Sequence, residues 1–211
     1  MMTNGLKITL WLLVPVAVVL LLFGIGILRD GKRAFTARER RIISETDSLM
    51  PVYTLPADTA VLRAVSVDFS DRELASPLLE TLLSKMTYTV RHPSQDGVGI
   101  AAPQVGLNRR AVVVQRFDKA GEPFEAYLNI RIDRLEGELV CGPEGCLSVP
   151  GMRGMVPRYP QIQISYVRPG STERQTEWVE GFTAVIFQHE CDHLEGILYI
   201  DKAVELSEVE E

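Results

Sequence analysis

The stretch QHECDHLEG, residues 188 to 196, sets His189 and His193 four residues apart, with Glu190 directly after the first. On a helix, positions i and i+4 share a face with their bases about 6 Å apart, so one cation can reach both imidazoles. Glu190 is turned one residue further round the axis. It is poorly placed as a third ligand and well placed to reach a water on the ion. A bound ion lowers the pKa of such a water and a carboxylate takes its proton, which is the chemistry of a metallohydrolase. The plainer alternative is an exposed helix with scattered polar residues. That fits poorly, because Phe182, Val185, Ile186, Phe187 and Leu194 suggest that the segment is buried, and buried His and Glu without partners are costly.

With only three histidines in the chain, another residue type must complete the ligand set. Position 199, where a third histidine would fall six residues after His193, is Tyr. A downstream glutamate would have to come from Glu205, Glu208, Glu210 or Glu211, in a short acidic tail with little room for a supporting helix. Cys146 in PEGCLSVPG is the better candidate: glycine and proline flank it in a turn or strand end, and a thiolate binds a borderline metal strongly. Cys141 and Cys191 read as small buried apolar residues, and His92, beside Pro93 in a polar loop, as a surface residue.

The elements that must hold these groups form a mixture of strands and two main helices. One helix is expected from about Phe182 to Leu194, stopped by Gly196. The other starts at Ser76 as N-cap and Pro77 as first helical residue, with Leu78, Leu79, Leu82, Leu83 and Met86 as its core stripe. Residues 111–117, 126–132, 161–167 and 175–180 read as strands.

Ahead of this domain, Ile8 to Leu28 is a charge-free run of 21 residues, long enough as a helix to cross a hydrocarbon core of about 30 Å. It is longer than a signal-peptide core and no small-x-small cleavage site closes it. Lys7 precedes it, whereas Arg29, Lys32, Arg33, Arg38, Arg40 and Arg41 follow. The positive-inside rule then puts the rest of the chain in the cytoplasm, on an inner or cytoplasmic membrane crossed once. Those charges could also touch anionic headgroups. The net charge is −6 overall, and the basic excess sits before residue 42. The globular part is therefore acidic, which argues against nucleic acid and for small or peptidic substrates. An odd three cysteines fit a reducing compartment. The acidic end, SEVEE, reads as a solvated tail.

Three stretches together resemble the peptide deformylases, a family with the motifs GxGxAAxQ, EGCLS and HExDH. Here they are Gly97 to Gln104 (GVGIAAPQ), Glu144 to Ser148 (EGCLS) and His189 to His193 (HECDH). The resemblance covers roughly Met50 to Asp201. It implies an α+β fold of antiparallel sheets around a central helix carrying the metal histidines, here preceded by one transmembrane helix. The expected division is an anchor and basic linker over 1–41 and a catalytic domain over 42–211.

The same resemblance implies that Cys146, His189 and His193 hold one divalent metal ion. Ferrous iron is the family's choice, with zinc, nickel or cobalt able to substitute. Glu190 would be the general base, and the Gln104 amide and Leu147 N–H would stabilise the oxyanion. Val98, Ile186 and the aliphatic part of Glu144 would border the methionine side chain. Gly97 and Gly99 would admit the substrate backbone, and Arg153 would lie beside the peptide path. The reaction implied is removal of the formyl group from the N-terminal methionine of nascent polypeptides; the topology, and not the resemblance, suggests tethering near membrane-inserting chains, with the ribosome as an expected neighbour.

Three features depart from the family pattern: Asn129 is followed by Ile130 where Asn-Pro is common, the long C-terminal helix of some members is not expected here, and, most unusually, a membrane helix is expected in a family otherwise known as soluble enzymes. Two rival readings use the same residues. A membrane-anchored metallopeptidase would cleave internal peptide bonds, and a noncatalytic metal-containing module would only bind. Glu190 and Gln104 weigh against the second, since a purely structural metal site needs neither.

Overall fold

In a computed structural model, residues 34–209 are described. The apolar run from Ile8 to Leu28, expected to span a membrane, lies outside them. Among the described residues no helix is long and apolar enough to cross a membrane.

Five antiparallel strands form the larger sheet, in the order β1 (Gly99–Ala101), β2 (Ala111–Gln115), β3 (Phe124–Glu136), β6 (Gln161–Val167) and β7 (Arg174–Glu180). A smaller sheet holds β4 (Val140–Cys146), β5 (Val149–Arg158) and β8 (Glu205–Glu208). The strands expected from alternation all form. The β2 run AVVV is apolar at every position because both of its faces are covered. Ala111 and Val113 join the cluster of α4 (Pro77–Arg91), with Leu79, Leu82, Leu83 and Met86. Val112 and Val114 join that of α5 (Gly181–Leu194), with Ala184, Ile186, Phe187 and Leu194.

Both main helices end as their sequences dictate. The Ser76 hydroxyl accepts from the Leu78 N–H, and Pro77 opens α4. Gly196 takes a left-handed φ of 72°, where a Cβ would lie 2.4 Å from the Arg63 carbonyl oxygen. Only glycine fits there.

Several expectations need correction. The boundary at residue 42 falls inside a helix, α1 (Ala37–Glu45), whose Glu39 and Ile43 are buried along with the preceding Phe35. The basic segment after Phe35 is thus part of the domain and not a linker, because these residues pack on the α4 side of the sheet. Two further short helices, α2 (Thr59–Leu62) and α3 (Asp71–Leu74), join the expected pair. The start of the acidic tail is not loose: β8 pairs with β5, Arg153 opposite Ser207 and Met152 opposite Glu208. Backbone pairing at a sheet edge needs no apolar side chain, so composition hid it. Cys141 is exposed, since it lies on the outer half of edge strand β4, beyond the small core that reaches Cys146. Phe182, expected inside, is 55% exposed in the first turn of α5. Asn129 adopts a φ of 49° and holds Phe69 by both backbone groups, at 2.8 and 3.0 Å. The missing proline is therefore answered by a local bulge in β3.

Candidate metal centre and active site

Helix α5 presents His189 and His193 on one face, and the end of β4 brings Cys146 to them. One ligand atom from each of the three lies within 4.8 Å of the others, and the Cys146 Sγ is 3.3 Å from the His193 Nε2. The His189 Nδ1 is engaged by the Glu144 Oε2 at 2.8 Å, which leaves Nε2 for a cation. A thiolate and two imidazoles suit a borderline divalent ion, and three protein ligands leave a fourth position for water. The rest of the site fits that requirement: Glu190 is 4% exposed, and its Oε2 is buried without a hydrogen-bond partner.

The charges are arranged accordingly. Burial pushes the Glu190 carboxyl up to about 7, against the pull of His189 and His193. Burial also disfavours the Cys146 thiolate, but the two histidines outweigh it and hold the thiol well below its ordinary value. His189 is raised well above its ordinary value, because Cys146 and Glu144 overcome its burial. The histidines thus favour the thiolate form that a cation requires of Cys146.

Gln104 and the glycines come from β1 and the short 3-10 turn that follows. The Gln104 Oε1 accepts the Ala101 N–H at 2.8 Å, which directs the Nε2 toward the Ser148 Oγ at 3.3 Å and the Cys146 Sγ at 3.6 Å. At Gly99 a Cβ would stand 2.5 Å from the Glu190 Oε1 and 2.8 Å from the Ile186 Cγ2. The missing side chain at Gly99 lets the Glu190 carboxylate lie against the strand.

Gly97, Val98, Gly99, Gln104, Glu144, Cys146, Leu147, Arg153, Ile186, His189 and Glu190 all line one cleft of about 490 Å³. His193 sits beneath it, 1% exposed. His92 stays apart, bonded to Ser94, and Cys191 is core, its thiol pushed up to about 12 by burial.

Sequence reasoning missed the support for the metal histidine. Arg158, 3% exposed, donates to both Glu144 oxygens at 2.7 and 3.0 Å and to the Asp192 Oδ2 at 2.6 Å. Arg158 and the Glu144 held at about 2 against burial form one unit with His189. Asp192 was visible inside HECDH, but no spacing signals Arg158, which reaches Glu144 only because the β4–β5 hairpin folds back.

Residues 49–209 match the family model of polypeptide deformylase. The peptide deformylase of Leptospira biflexa is 40% identical over 149 residues, covering 67% of this chain and 82% of that protein. A class I type b peptide deformylase from Acinetobacter baumannii, solved with Met-Ala-Ser bound, superposes with a TM-score of 0.65 at 34% identity, over 73% of this chain and 99% of the other. The Synechococcus elongatus peptide deformylase in complex with actinonin gives 0.66 at 31% identity, over 76% and 81%. By its matched length, its motifs and its fold, this chain belongs to the peptide deformylase family.

Proposed function

We propose that the chain hydrolyses the formyl group from the N-terminal methionine of newly made polypeptides, giving formate and a free amine. One observation carries this reading: the buried, unpartnered Glu190 oxygen at the inner end of the cleft, beside the Cys146, His189 and His193 cluster. The Met-Ala-Ser held by the Acinetobacter baumannii relative supports a peptidic occupant.

Cys146, His189 and His193 would hold a divalent cation, which would supply Lewis acidity toward a water and a carbonyl oxygen. Glu190 accepts the proton of the attacking water at a carboxylate oxygen and passes it to the amine nitrogen as the C–N bond breaks. Burial raises the Glu190 carboxyl, the direction needed by a base that must also give its proton back. The Gln104 amide and Leu147 N–H donate to the oxygen that gains charge. Val98, Ile186 and the Glu144 methylenes receive the methionine side chain, Gly97 and Gly99 admit its backbone, and Arg153 flanks the outgoing peptide. Ferrous iron is the metal in this reading, with zinc, nickel or cobalt as substitutes.

The test is formate release from a formyl-methionyl peptide by the full chain, loaded anaerobically with ferrous iron, beside Glu190→Gln. The variant is expected to lose at least about 100-fold in kcat while keeping its metal. No release from folded, loaded protein would favour a noncatalytic module, and cleavage at internal bonds would favour a metallopeptidase.

The same proposal puts the enzyme on the cytoplasmic face of the inner or cytoplasmic membrane, near nascent chains as they insert. Its support is the charge-free run from Ile8 to Leu28 and the basic residues after it. Release of the chain from membranes by alkaline carbonate would sink this part alone.

A further inference from the structure

Helix α1 turns one face into the domain and leaves another in water. Glu39 and Ile43, one turn apart, are buried, and Glu39 pairs with the fully buried Arg109 at 2.9 Å. Toward the other end, the Lys85 ammonium of α4 donates to the Ile43 and Thr46 carbonyls at 2.7 and 2.6 Å. The helix is fixed to the domain along its length. Its outward stripe, on the side away from Glu39 and Ile43, is Arg38, Arg41 and Glu45, with Arg40 flanking it, all exposed. Arg41 and Glu45 approach to 3.7 Å with side chains 75% and 69% exposed. So open a pair binds weakly and leaves Arg41 available to another anion.

Charge is graded along this helix. Arg38, Arg40 and Arg41 occupy its first half, where the backbone dipole is also positive, whereas Glu45 and then Asp47 stand at the far end. The chain arrives at the positive end. Phe35, 5% exposed and set edge-on to Phe69 at 5.8 Å between centroids, follows Leu28, the last residue of the charge-free run, by seven positions. Seven extended residues reach no more than about 24 Å. A bilayer crossed by that run would therefore have the arginine end of α1 within about that distance, and basic side chains near an anionic leaflet are drawn onto it.

We propose that α1 docks, arginine end first, on the anionic phospholipid headgroups of the bilayer through Arg38 and Arg41, with Arg40 at the margin. This rests on the membrane reading above. Because Arg109 and Lys85 tie α1 to the rest of the fold, the contact gives the catalytic domain one preferred orientation on the lipid surface in place of a swinging tether. Glu45 and Asp47 oppose the surface and keep the far end of the helix raised.

The test measures hydrogen exchange of residues 37–45 in the full chain, reconstituted into bilayer discs of phosphatidylcholine alone or mixed with phosphatidylglycerol. Exchange should be roughly tenfold slower in the anionic discs, the order expected of two arginines at such a surface, and the difference should vanish in about 1 M salt. Arg38→Gln with Arg41→Gln should abolish the difference, and Glu45→Lys should enlarge it. Equal exchange in both kinds of disc, with the chain retained in them, would overturn the docking and leave the membrane anchor standing. Slow exchange that ignores lipid charge would also overturn it, and would point to a second copy of the chain as the cover. A chain that the discs do not retain would overturn both readings.

Discussion

Of the four buried arginines among the described residues, Arg109 and Arg158 are used differently. Arg109, fully buried, lies near the Phe35 and Phe69 rings, 4.9 and 5.4 Å from their centroids, and pairs with Glu39 of α1 and Glu73 of α3, each at 2.9 Å. Glu39 also takes the N–H of Thr36, and Glu73 the N–H and hydroxyl of Ser70. These contacts join helices to each other and to the sheet. Arg158 also binds two carboxylates, but each has another charged partner: Glu144 engages His189, and Asp192 engages Lys202 at 2.7 Å. The first network reaches helix caps, whereas the second reaches His189, a candidate metal ligand. A buried ion pair is therefore no sign of function in itself, and the question to ask is what its carboxylates do with their remaining oxygens.

If this contrast is right, Arg109→Leu should have the largest effect on folding. It removes the guanidinium from between two buried carboxylates and should cost about 3–5 kcal/mol in denaturant unfolding, while kcat per folded molecule stays the same; a changed kcat would erase the distinction. Next comes the acid sensitivity of the metal-free protein. Glu144 sits at about 2 in the fold against an ordinary 4.5, so the unfolded chain takes up its proton first as pH falls. Its contribution, on the order of 2–3 kcal/mol, is full above about pH 5 and fades toward pH 2. Glu144→Gln should flatten that limb of the stability profile, and an unchanged limb would mean the carboxylate is not held as described.

A smaller effect is expected at Arg158, because its carboxylates keep His189 and Lys202. Arg158→Leu should weaken metal binding by about 10–100-fold, read by titration against a chelator, and equal affinity would reduce Arg158 to a packing residue. Lys202→Ala, at the exposed end of the same chain of contacts, should change stability by less than about 1 kcal/mol. A larger loss would mean that Asp192 depends on Lys202 more than on Arg158.

The parts legible in the sequence were those in which local pattern and function coincide. Helix α5 could be read because two ligands and a base recur within one turn, and Gly196 marks its end. The motifs carried the three candidate ligands, Cys146, His189 and His193, and these lie together. What escaped was set by chain folding rather than by local pattern. The β4–β5 hairpin is rich in glycine and proline, so no alternation announces it, yet it brings Arg158 to Glu144. Helix α1 was hidden among basic residues, because its attachment runs through a single buried glutamate and two apolar side chains. Phe182 looked like core because its neighbours are core, and only the cleft's position reveals that its ring faces the entrance.

The contact between Gly99 and Glu190 carries a consequence for how such a site can change over time. The strand leaves no room for even a methyl group beside the carboxylate, so two positions 91 residues apart in the chain share one volume. Each therefore sets the other's repertoire. A larger residue at 99 would have to displace both the Glu190 carboxylate and the Ile186 side chain, so the loss of that glycine would serve as a historical record that this whole face of the helix had already been rebuilt.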